Sequence, residues 1–117
     1  MQIVGMGVDI TEVRRLQRAV EKWGDSFLNR VFTRQELANA NKRGRFFQHL
    51  AGRFAAKEAV FKALGNKTLG WQDIVVLNKE DGSPFCRILK DKGKGLKINL
   101  SISHVKTYAV ASAIVTK

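Results

Sequence analysis

Glu58 stands where an apolar side chain is expected. At 3.6 residues per turn, Phe47, Leu50, Ala51, Phe54 and Phe61 fall on one helical stripe, and Glu58 lies in its middle, in line with Phe54 and Phe61. A carboxylate buried there without a partner would take a proton instead of keeping its charge, so something positive should face it. Lys62, four residues on and in the favourable orientation, is one candidate; a divalent cation is the other. Asp9 poses the same choice at the end of the first apolar segment. Asp9-Ile10-Thr11-Glu12 fits a capping box ahead of a helix, and Asp9 equally fits a second oxygen ligand. If the fold brings Asp9 and Glu58 together, two carboxylates without a nearby His or Cys suit Mg²⁺, which keeps waters and commonly completes its shell with substrate phosphate.

These residues need elements to hold them. Ile3 to Asp9 is short, apolar and broken by Gly5 and Gly7, which predicts a strand with close backbone approach. The glycine pattern is not that of a phosphate-binding loop. Val13, Leu16, Val20 and Trp23 repeat at helical spacing and stop at Gly24. Thr33 and Glu36 form a capping-box signature for a second helix, and a longer one runs from Phe46 to Leu64 with Gly65 as its C-cap. On that long helix the wheel turns Arg53 away from the apolar stripe, outward. Beyond it the period changes to two. Asp73–Asn78, Phe85–Leu89, Lys97–Ser103 and Thr107–Val115 are predicted strands, with a turn at residues 81–84, a hairpin at 104–106 and Trp71 packing beside them. The order predicts a single α+β domain over residues 1–117, an N-terminal strand and helices on a mainly antiparallel sheet.

Charge narrows the partner. Twenty-one Lys and Arg oppose ten Asp and Glu among 117 residues, for a net charge of +11. Such a chain wants an anionic partner, and an acidic pair holding Mg²⁺ within it implies a phosphate-bearing substrate. Residues 14–67 hold thirteen of the basic residues against four acidic ones. Within them Arg14, Arg18 and Lys22 form a row at i, i+4 and i+8 that repels itself alone and attracts an acidic helix set opposite. The lone Cys86 makes no internal disulfide and is expected as a small buried residue of a reducing compartment. The N-terminal stretch lacks the features of a secretory signal, and no apolar run approaches the ~20 residues of a membrane span. The expectation is a cytoplasmic protein.

Four segments stand out together: Gly5-Met6-Gly7-Val8-Asp9-Ile10, Gly52-Arg53-Phe54-Ala55-Ala56-Lys57-Glu58-Ala59, Lys62-Ala63-Leu64-Gly65, and Ser101-Ile102-Ser103-His104 followed by Tyr108-Ala109. In order and spacing the set closely resembles the bacterial holo-acyl-carrier-protein synthases, small members of the 4'-phosphopantetheinyl transferase family. The resemblance implies transfer of the 4'-phosphopantetheine arm of coenzyme A to a serine of an apo acyl carrier protein, with release of 3',5'-ADP, in fatty acid biosynthesis. It further implies Mg²⁺ dependence and homotrimers with active sites in clefts between subunits. On that pattern Asp9 and Glu58 hold the metal, Lys62 lies against the transferring or leaving phosphate, and Arg45, Arg53 and His104 hold the nucleotide end. The first helix, Arg14 foremost, receives the acidic carrier. Val105 departs from the polar or acidic residue that many relatives place after the histidine.

The alternative is a non-enzymatic basic module that binds nucleic acid, supported by the net charge. Against it, the chain shows no RNP-like strand, no zinc-finger spacing and no helix-turn-helix signature, and such a binder has no use for a carboxylate on an apolar stripe.

Overall fold

Alternation along the first strand decides what the long helix meets. The computed structural model describes residues 1–65, 69–89 and 91–117, with the side chain of Arg43 outside that description. It begins with β1 (Ile3–Glu12), then α1 (Val13–Trp23), α2 (Asp25–Val31), α3 (Arg34–Arg43) and α4 (Phe46–Leu64). A 3₁₀ turn at Trp71–Asp73 leads to β2 (Ile74–Asn78), β3 (Pro84–Ile88), β4 (Lys97–His104) and β5 (Tyr108–Thr116). Among the described residues the strands pair antiparallel, in sheets of order β1-β5-β4 and β2-β3. The expected α+β architecture is the observed one, and the four later strands lie within a residue or so of their predicted bounds.

On β1 the residues facing α4 are Gly5, Gly7, Asp9 and Thr11. A Cβ at Gly5 would run into the carbonyl oxygen of Ala63, and one at Gly7 into that of Ala59. Glycine on the strand and alanine on the helix thus let the two backbones meet directly. Two strand residues advance about 6.6 Å and one helical turn about 5.4 Å, so each step along β1 moves back roughly one turn on α4. Asp9 is the next inward residue after Gly7, and it arrives beside the turn of α4 that carries Glu58.

This close approach corrects the helical wheel. The fully buried residues of α4 include Leu50, Ala51, Ala55, Ala56, Ala59 and Val60, which knit the helix into two apolar clusters. Phe54, Glu58 and Phe61 lie on the half-buried shoulder instead. Trp71 covers that shoulder, stacked on Phe54 at 5.4 Å and edge-on to Phe61 at 5.0 Å. Small side chains occupy the narrow contact with β1, and the aromatics are left to its flank.

Three further expectations change. β1 runs three residues past Asp9, so Glu12 takes the N-cap position of α1 and Asp9 is not a cap; the Val13 amide is satisfied by the Thr107 carbonyl at 2.9 Å. Arg53 is not outward: it is 3% exposed, and its guanidinium donates to Asn78 Oδ1 on β2. The β2–β3 hairpin covers that side of α4, a second layer that a one-helix wheel does not contain. Finally, α2 lies where no element is predicted. Gly24 at φ +58° ends α1 with its amide on the Val20 carbonyl at 2.7 Å, and its own carbonyl opens α2. Seven residues are too few to show a helical period.

The predicted capping box at α3 is present, and Glu36 does more than cap. Its Oε1 accepts from the Thr33 amide at 2.8 Å and from Lys57 Nζ at 2.6 Å, while Oε2 accepts from the Val76 amide at 2.8 Å. Lys57 also donates to the Val31 carbonyl at 2.8 Å, and both side chains are fully buried. One ion pair therefore ties the end of α2, the start of α3, α4 and β2 together. Cys86 lies near it on β3, half-buried, its thiol pushed up to about 12 by burial and by the charge of Glu36.

Candidate active site

The inward face of β1 and the shoulder of α4 bring Asp9, Glu58 and Lys62 together. Lys62 Nζ donates to the Val8 carbonyl at 3.0 Å and to Asp9 Oδ1 at 3.2 Å. Thr11 Oγ1 donates to the other Asp9 oxygen at 3.0 Å. Lys62 thus forms its ion pair with Asp9. The Glu58 carboxyl is held above its ordinary range, by partial burial first and by the neighbouring Asp9 charge second, with Lys62 pulling the other way. Two carboxylates close enough to disturb one another, with one cation between strand and helix, form a site for positive charge. Beside them opens a cavity of about 530 Å³ lined by Asp9, Arg15, Phe27, Phe54 and Tyr108 among others.

The basic residues predicted to hold a nucleotide lie elsewhere. Asp9 pairs across to Ala111 of β5, and Ala111 pairs on its other side to Ile102 of β4. The edge that ends in His104 is thus two strand spacings, roughly 10 Å, from the edge that carries Asp9. At that far edge, Arg53 and His104 line a cavity of about 170 Å³, and Arg45 and His104 line another of about 350 Å³. Arg45 holds the left-handed conformation, φ +48° and ψ +51°, at the N-cap of α4. The structure brings the predicted residues into two groups, an acidic one at the β1 edge and a basic one at the β4 edge.

Arg14, Arg18 and Lys22 are all exposed on α1, with Lys22 Nζ 4.9 Å from the centre of the Trp23 ring. Two features escaped the sequence: the buried Glu36–Lys57 pair, and His49, which lines the same cavity as Arg53 and His104.

The sequence pattern of the 4'-phosphopantetheinyl transferase superfamily matches residues 5–113. A holo-[acyl-carrier-protein] synthase of Thermodesulfovibrio yellowstonii is 48% identical over 115 residues, 97% of this chain and 99% of its own. Among solved structures, the synthase of Neisseria meningitidis superposes with a TM-score of 0.89 at 29% identity, over 99% of this chain and 100% of that one. The synthase of Bacillus anthracis in complex with CoA (3',5'-ADP) gives 0.83 at 36% identity, over 98% and 97%. Full-length similarity and fold agree, and the chain belongs to the 4'-phosphopantetheinyl transferase superfamily, among its holo-[acyl-carrier-protein] synthases.

Proposed function

We propose that this protein transfers 4'-phosphopantetheine from coenzyme A to a serine of an apo acyl carrier protein, releasing 3',5'-ADP, in fatty acid biosynthesis. The observation that carries the proposal is the convergence of Asp9 and Glu58, from the inward face of β1 and the shoulder of α4, with Lys62 bonded to Asp9. In the reaction the serine oxygen bonds to the phosphorus attached to pantetheine, the bond from that phosphorus to 3',5'-ADP breaks, and the serine proton is lost. Alignment and charge neutralisation supply most of the acceleration in such displacements.

The donor set fits Mg²⁺. Both candidate ligands are carboxylates, and their mutual repulsion is what a divalent ion relieves. Among the described residues no group of three or more His, Cys, Asp or Glu is gathered, so substrate phosphate and water are left to complete the shell. When bound, the ion would polarise the pyrophosphate and offset its charge. Lys62 reaches the same place and stabilises negative charge on the transferring or leaving phosphate. Arg14, Arg18 and Lys22 offer α1 to the acidic carrier.

A homotrimer with clefts between subunits accounts for the separation of the two groups: coenzyme A would meet the acidic edge of one copy and Arg45, Arg53 and His104 of the next. The outer face of the β1–β5–β4 sheet supports association, since Met6, Val8 and Ile10 are 67%, 60% and 68% exposed there. Among the described residues no helix is long and apolar enough to cross a membrane, in keeping with a cytoplasmic enzyme acting on a soluble carrier.

The test is direct. Apo carrier protein incubated with enzyme, coenzyme A and Mg²⁺ should gain the mass of phosphopantetheine, and chelation by EDTA should stop the gain. A carrier whose mass stays unchanged with enzyme and Mg²⁺ in excess refutes the proposal. Light scattering should give a particle of three times 13.1 kDa.

A further inference from the structure

Thr11 is the last of the four residues of β1 that face α4, and it is the one buried residue of that strand, 8% exposed. Valine would fill such a place as well, and a hydroxyl buried there costs free energy unless it is bonded. Its bond is to Asp9: Thr11 Oγ1 donates to Asp9 Oδ2 at 3.0 Å, and both residues line the cavity of about 530 Å³ beside the site.

Asp9 is therefore held by two donors, one on each oxygen, and the two differ. Lys62 reaches Oδ1 at 3.2 Å from α4, and its side chain is 54% exposed. In the proposed reaction that ammonium also serves the transferring or leaving phosphate, so its hold on Asp9 is divided. Thr11 has no second task. It is buried on the same strand, and the β1–β5 ladder fixes its distance from Asp9, with Asp9 set against Ala111 and Thr11 against Ala109. A hydrogen bond to a carboxylate is among the stronger ones, and a donor that orients a ligating carboxylate tunes the affinity of the site for its ion. We infer that Thr11 is a positioning residue, whose hydroxyl fixes the Asp9 carboxylate in the orientation that meets a divalent cation shared with Glu58. The inference rests on the reading of Asp9 and Glu58 as the holders of Mg²⁺, and adds to it the group that aims one of them.

Thr11→Val keeps the branched shape and removes the donor; Thr11→Ser keeps the donor and removes a methyl group. The probe is Mn²⁺, which takes the same oxygen ligands as Mg²⁺ and whose free ion is read by paramagnetic resonance. The full-length protein is titrated with it, alone and with 3',5'-ADP present. Thr11→Val should bind Mn²⁺ about tenfold more weakly than the unaltered protein, as loss of such an outer partner does, and Thr11→Ser should stay within about twofold. In the transfer assay Thr11→Val should need about tenfold more Mg²⁺ for its half-maximal rate, with the rate at saturating Mg²⁺ and the KM for the carrier little changed. Thr11→Ala repeats the measurement should the valine variant melt early in a thermal scan. Unchanged Mn²⁺ affinity on loss of the hydroxyl would overturn the inference. Equal weakening in Thr11→Ser and Thr11→Val would overturn it too, because position 11 would then act through packing. An unaltered protein that binds no Mn²⁺ in either condition would instead strike the metal reading of Asp9 and Glu58 itself, and the inference with it.

Discussion

Lys57 and Glu58 are neighbours in sequence, and they lead opposite lives. Lys57 is fully buried and paired, its ammonium shared between Glu36 and the Val31 carbonyl. Burial lowers its pKa, and Glu36 at 2.6 Å opposes the shift. Glu58, about 100° further round α4, reaches the shoulder of the helix, where the neighbouring charge that disturbs it most is another carboxylate. The first arrangement leaves nothing for a ligand to improve. The second is only partly relieved by Lys62, and the residual repulsion is what an incoming cation removes. Consecutive positions on one helix thus divide between holding the fold and doing the chemistry.

The largest expected effects should separate the two. Glu58→Ala and Asp9→Ala should each lower transfer to the carrier by about 10²–10³-fold or more, as loss of a principal electrostatic group does, with thermal stability unchanged or raised for Glu58→Ala and slightly lowered for Asp9→Ala, which loses the bonds from Lys62 and Thr11. Lys57→Met should act through the fold: it leaves Glu36 buried and unpaired, a loss of about 3–5 kcal/mol, read as a lower denaturant midpoint. Combining Lys57→Met with Glu36→Leu removes both charges and should recover part of that stability. Should Lys57→Met leave stability intact and abolish transfer, the division of labour fails.

Much of this was legible in the residues. Glycine at 5 and 7, the Thr33–Glu36 box and the long helix ended by Gly65 each have local causes, so local pattern found them. The placement of Asp9 and Glu58 at one site followed from the family resemblance and not from spacing, because no local rule relates the end of a strand to a helix some fifty residues later. Lys57 was different, since its signal was present. Leu50, Arg53, Lys57 and Val60 follow one another at spacings of 3, 4 and 3, the mark of a buried line. Two basic residues on that line disguised it as a polar face. What no pattern could supply is the cover: the β2–β3 hairpin hides Arg53, and α3 brings Glu36 to Lys57.

A smaller effect is expected at α1, away from both ionic pairs. Arg14 is exposed, so Arg14→Glu should not alter folding. Reversing one charge of the Arg14–Arg18–Lys22 row should raise the KM for an acidic carrier about tenfold, chiefly through slower encounter and less so at high salt. The KM for coenzyme A should not change. Equal change in both would place Arg14 at the nucleotide instead of the carrier.

The smallest effect bears most closely on the contrast between Lys57 and Glu58. A carboxyl held above its ordinary pKa of 4.5 in the fold binds protons there more readily than in the unfolded chain. Glu58 therefore lowers stability as pH rises from about 4.5 through its folded value, and its ionised form is a liability at neutral pH. Glu58→Gln removes the charge and keeps the shape. Without divalent ions it should melt slightly above the unaltered protein at pH 7, and the two should coincide below about pH 4, where Glu58 is protonated in both folded and unfolded states. Added Mg²⁺ should close the gap from the other side, raising the melting temperature of the unaltered protein more than that of the variant. Melting curves at the two pH values, with and without the ion, read all of this in one experiment. A variant less stable at neutral pH would mean that Lys62 already satisfies Glu58, and the carboxylate would then belong with Lys57 among the groups that hold the fold.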